Sequence, residues 1–141
     1  MALVGGGGAP NVAGGNPSGT GTSLNYIGNH AYAYSGGLQS NTSNVTHLQF
    51  TSGQSYIHGT LYFTAAAKMA DISGGEVSGC QVSFDNQVIS VLKADTTTED
   101  QPTDNTMPII IPPFTNVTVE VISTGSTSGY LTSVSIVGRV Y

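Results

Sequence analysis

A pair of prolines constrains this chain more than any other feature. Residues 107–122 read MPIIIPPFTNVTVEVI. Pro112 and Pro113 stop the apolar run Ile109–Ile111. Beyond them, Val117, Val119 and Val121 alternate with Thr118 and Glu120. A period of two puts alternate side chains on opposite faces, so 117–121 is a strand with one wet face. The isoleucines show no alternation. Their β-branching and the flanking prolines predict a short strand buried on both faces. Strand, Pro-Pro corner, strand is how a chain changes pairing partner in an all-β domain.

The same style recurs along the chain. From Asn25 to Tyr34, Tyr26, Gly28, His30, Tyr32 and Tyr34 fall on one face and Ile27, Asn29, Ala31 and Ala33 on the other, which predicts one strand. Residues 44–51 and 55–64 predict a hairpin closed at Ser52-Gly53, with Leu48 opposite Ile57 and Phe50 opposite Ser55. Leu48, Phe50, Ile57, Leu61 and Phe63 then face the core. His47, Gln49, Tyr56, His58 and Tyr62 face outward, with His47 directly opposite His58. A helical turn is expected at most within 65–76. Residues 77–84 place Cys80, Val82 and Phe84 on one face, Asp85-Asn86 turns the chain, and 87–93 returns. Residues 94–106 read as a polar acidic loop. The last strand, 130–140, alternates Val134, Ile136, Gly138 and Val140 against Ser133, Ser135, Val137 and Arg139.

This gives eight strands and no secure helix. The expected fold is an all-β, eight-stranded antiparallel β-sandwich of jelly-roll or Greek-key type over residues 23–141. An extended N-terminal arm, residues 1–22, precedes it. Eight of those 22 residues are glycine and two are proline, too little apolar matter to order itself. Leu3, Val4 and Val12 are the arm's apolar anchors, suited to a groove or a sheet edge.

Charge narrows the function. Charged residues make up 8% of the 141 residues, and the net charge is −5, against about 25% charged in an average domain. Lys68, Lys93 and Arg139 are the only cations. Three scattered cations form no phosphate-binding stripe, which argues against nucleic acid and anionic membranes as partners. Cys80 is the single cysteine, so no internal disulfide forms. MALVGGGG lacks the basic and apolar regions of an export signal, and no apolar run approaches membrane-span length. Synthesis in the cytoplasm without export is the expectation. A hydroxyl-rich, weakly charged surface points to an extracellular or particle-bound protein.

Candidate chemistry is sparse. His47 and His58 fall short of the three or four ligands a transition metal needs. Asp95, Glu99, Asp100 and Asp104 lack the spacing of a calcium loop. No nucleophile motif, zinc motif or phosphate loop occurs, so no enzyme, cofactor or metal is expected. The tyrosines are the better signal. Tyr26, Tyr32, Tyr34, Tyr56 and Tyr62, with His47 and His58, form a candidate interface, since tyrosine is enriched where surfaces meet.

With its Gly-rich arm, its Thr/Ser-rich strands and the segment IPPFTNVTVEV ending at Val121, the chain resembles the small jelly-roll decoration (cement) proteins and related minor head proteins of tailed bacteriophages. That resemblance implies a virion protein on a capsid surface, commonly a homotrimer. Its partner would be the major capsid protein, its arm would clasp neighbouring subunits, and it would have no catalytic residues. The alternative is a carbohydrate- or receptor-binding module of a virion fibre or surface.

Overall fold

The computed structural model describes residues 20–39, 43–65, 77–95, 103–123 and 131–141. Ten strands lie in them, all antiparallel within two sheets. They are β1 (Asn25–Ile27), β2 (His30–Tyr34), β3 (Leu38–Gln39), β4 (Val45–Thr51), β5 (Ile57–Ala65), β6 (Val77–Phe84), β7 (Gln87–Asp95), β8 (Thr103–Ile111), β9 (Asn116–Ser123) and β10 (Leu131–Val140). The larger sheet runs β1-β2-β10-β5-β8, with β3 also on β10. The smaller runs β4-β9-β6-β7. The arm anchors Leu3, Val4 and Val12, and most of 65–76 and of the acidic loop, lie outside the described residues.

The pairing is nested about one turn. Asp85 and Asn86 both take positive φ (49° and 67°), the geometry of a type I′ turn joining β6 to β7. Counting outward from it, β5 pairs with β8, β4 with β9 and β2 with β10. Every connection among these eight strands except that turn crosses between the sheets.

The core forms between the sheets from the alternating apolar positions. Leu48, Phe50, Val117, Val119, Val121, Cys80 and Val82 come from the smaller sheet. Ile57, Leu61, Phe63, Ile109, Ile111, Val134 and Ile136 come from the larger. A fully buried Leu, Ile or Phe contributes about 1.5–3 kcal/mol relative to its exposed state.

Several expectations need correction. Ten strands replace eight, because Gly28-Asn29 turns the chain and splits 25–34 into a hairpin with Ile27 opposite His30, and β3 adds a short strand. The 44–64 hairpin does not form. β4 pairs with β9, placing Leu48 beside Val119, while Ile57 of β5 pairs with Val140 and Ile111 in the other sheet. Ser52 is the physical reason. Its N donates to Thr115 O (2.9 Å) and its Oγ to Pro112 O (2.7 Å), so 52–56 binds the Pro-Pro corner and does not close a tight turn. The apolar residues assigned to that hairpin still meet, but across the core. The isoleucine run is not buried on both faces. It ends β8, an edge strand, with Ile109 and Ile111 inside and Ile110 57% exposed. That strand begins at Thr103, so Asp104–Thr106 belong to it and not to a loop.

Candidate interaction face

The outer face of the larger sheet gathers most of the predicted interface. Registered partners across strands share a face, so the rows can be read directly. One row runs Ile110, His58, Arg139, His30, Ile27. The next runs Pro108, Thr60, Val137, Tyr32, Asn25, and a third Thr106, Tyr62, Ser135, Tyr34. A fourth holds Asp104, Thr64 and Ser133.

Tyr34 and Tyr62 are about two-fifths exposed, and Tyr32 packs its ring 5.5 Å from that of Tyr34 at a tilt of 41°. Beside this face, Tyr56 stacks on Tyr141 with centroids 5.1 Å apart and planes 11° apart. Tyr141 N donates to Tyr56 O (3.0 Å), which fixes the pair. The Arg139 guanidinium lies 5.8 Å from the Tyr141 ring centroid, within range of a cation–π contact.

Among the described residues these four rows carry one fixed cation, Arg139, and one carboxylate, Asp104. Exposed aromatics, an arginine, few carboxylates and no lysine are the composition of a protein–protein contact. Hydroxyls of Tyr, Thr and Ser supply donors and acceptors without the desolvation cost of charge.

Two predicted members fall elsewhere. Tyr26 pairs with Ala31 and packs against the core, because the Gly28-Asn29 turn reverses the parity of the segment. His47 is fully buried. A register shift between Thr46 and Leu48 makes it the extra residue of a bulge, so it points inward beside Leu48. Its Nδ1 lies 2.8 Å from Val45 O, and its Nε2 lies 2.8 Å from Thr132 Oγ1 and 3.2 Å from Thr132 O, so both ring nitrogens have partners and either can donate to a carbonyl. Burial pushes the imidazole below its ordinary pKa, against the raising effect of the bonds to Val45 and Thr132. His47 and His58 are therefore not opposite one another and make no metal pair. Among the described residues no group of three or more His, Cys, Asp or Glu side chains is placed to hold a metal ion.

The arm's last described residues have a site of their own. Gly21 N donates to His47 O (2.8 Å) and Gln49 N to Gly21 O (2.9 Å), a parallel bridge on the free side of β4. Thr20 Oγ1 adds a bond to Thr46 O (2.8 Å). A side chain at Gly21 would meet Tyr34 O and, at 2.7 Å, Leu48 Cδ2.

His30, Val137, Arg139 and Tyr141 were not among the predicted interface residues. The alternation of 130–140 already placed Val137 and Arg139 on the face opposite the core. Phe114, 72% exposed at the Pro-Pro corner with φ +54°, had no signal in the sequence. No protein-family model matches this chain, and no curated protein matches it.

Proposed function

We propose that this protein is a structural component of a virion, a jelly-roll protein that decorates and stabilises a phage capsid. It acts as a homotrimer with the major capsid protein as partner and the N-terminal arm contacting neighbouring subunits. The observation that carries this reading is the outer face of the larger sheet, where Tyr32, Tyr34, Tyr62, His58 and Arg139 form a weakly charged surface suited to burial against protein. The nested pairing about the Asp85-Asn86 turn supports the jelly-roll assignment, since a jelly roll is a long antiparallel hairpin wrapped into two sheets. The edge bridge at Gly21 supports the arm's role, because it starts the arm on a sheet edge. A shell-stabilising protein works by many modest contacts repeated by symmetry, and such contacts need little side-chain chemistry.

The test is the solution mass of the whole chain and of a chain lacking residues 1–22, by light scattering on a sizing column. A trimer is expected in both, with the domain carrying its own interface. Tyr62→Glu, at the centre of the face, should reduce that trimer to a monomer while the far-ultraviolet circular dichroism stays unchanged. A monomer in both unmodified forms would overturn the trimer and favour the carbohydrate- or receptor-binding module. The exposed Tyr32, Tyr34 and Tyr62 rings would then be its stacking surface, and a glycan array the next measurement.

A further inference from the structure

Sheet edges decide what this protein can join, because an unpaired strand is a template for another. Three edges are blunted or occupied. β4 carries Thr20 and Gly21 on its outer side. β1 is three residues long. β8 contains Pro108, which has no N–H to give. Among the described residues β7 pairs only with β6, and Val88, Ile89 and Val91 stand exposed along it. Its open stretch is short. Ile89 is the extra residue of a bulge, and Asn105 Nδ2 of β8 already donates to Lys93 O (3.0 Å).

The arm starts from the opposite side of the same sheet, since β4 and β7 are the two ends of β4-β9-β6-β7. An oligomer held by the outer face of the larger sheet leaves the smaller sheet uncovered, so an arm that leaves the β4 side of one copy can cross to the β7 edge of the next. Such head-to-tail contacts close into rings. Nineteen residues precede Thr20, enough to reach up to about 65 Å when extended. They hold no charged side chain, and Met1–Val4 is their longest apolar run, a short segment for a short edge.

Resting on the oligomer argued above, we infer that Ala2–Val4 of one copy adds as a strand to β7 of the next copy, over Val88–Val91. The backbone supplies the ladder, and Leu3 and Val4 lie among Val88, Ile89 and Val91.

Disulfide trapping on the full chain tests this, and the buried Cys80 does not compete. Val4→Cys and Val91→Cys are made separately on chains of different tag length, mixed, and oxidised mildly. Val88→Cys serves as a second edge position. The expected result is a linked pair of unlike chains in the mixture and little linkage in either variant alone. The double variant should give products of up to three chains. Self-linkage of Val91→Cys would place a second copy's β7 at this edge and overturn the inference. A disulfide closed within one chain of the double variant would mean that the arm covers its own edge, and would also overturn it. Equal linkage of Val4→Cys alone would show arms meeting arms, which overturns it too. Light scattering of the same samples under reduction separates the two readings. A trimer that does not cross-link ends this inference and leaves the trimer standing, whereas a monomer ends both.

Discussion

Gly59 of β5 and Gly138 of β10 face each other so closely that a Cβ on Gly138 would lie 2.8 Å from the Gly59 Cα and 2.8 Å from Ile57 Cγ2. Both nearest neighbours are held in place, one as backbone and the other as a fully buried side chain. Gly138→Ala should therefore force the two strands apart and lower unfolding free energy by about 1–3 kcal/mol, the range of an overpacked core. Gly59→Ala should behave alike, since its Cβ would meet the Val137 carbonyl and the Gly138 Cα. Urea midpoints of the two variants are the check, and an unchanged midpoint would mean that the central ladder opens freely.

His47 ties the two sheets together at β4 and β10, and it makes stability depend on pH. Its folded pKa lies below its unfolded value, about 6.5, because burial penalises the imidazolium. The unfolded chain then binds the proton more readily. Stability is full above the unfolded pKa and is lost as pH falls from there through the folded pKa. The urea midpoint is expected to fall between pH 7.5 and pH 5. His47→Gln should remove the part of that fall that belongs to this ring, at a cost of about 2 kcal/mol at pH 7.5 from disturbed buried hydrogen bonds. A variant that keeps the full pH slope would show that the slope arises elsewhere.

The sequence showed most of the core and little of the pairing. Alternation identified Leu48, Phe50, Ile57, Leu61 and Phe63 as inward, because period two is a local property of the backbone. It could not say that β4 and β5 belong to different sheets, because that depends on Ser52 bonding to Pro112 and Thr115, some sixty residues away. A local break in the alternation was enough to reverse a face. The bulge at His47 and the turn at Gly28-Asn29 each did so, and they removed His47 and Tyr26 from the predicted interface. Tyr32, Tyr34, His58 and Tyr62 remained together because β2 and β5 both flank β10, whose own alternation was legible.

Cys80 should be silent in the folded protein. It is fully buried, and burial pushes its thiol up to about 12. Only about one thiol in ten thousand is then ionised at pH 8, and the thiolate is the reactive form. An aromatic disulfide reagent at pH 8 is expected to label the native chain no faster than it unfolds, and to label it at once in urea. Rapid stoichiometric labelling without denaturant would mean that the smaller sheet opens locally at β6.

Phe114 is held in a conformation that does not suit it. Its φ of +54° costs a bulky L-residue about 1–2 kcal/mol. The corner enforces it, since Phe114 N donates to Gly53 O (2.9 Å) and Thr115 N to the nearly buried Ser52 Oγ (2.8 Å). The ring gains little in exchange, being 72% exposed. Asparagine enters this region far more easily. Phe114→Asn should thus raise unfolding free energy by about 1 kcal/mol, read as a higher urea midpoint. A lower midpoint would show that the ring packs more than its exposure indicates. With the higher midpoint in hand, the strain has no purpose inside the isolated fold. Under the proposed function the ring would serve as an anchor for a partner surface, and the same variant is then expected to weaken the proposed attachment to a capsid in a sedimentation assay.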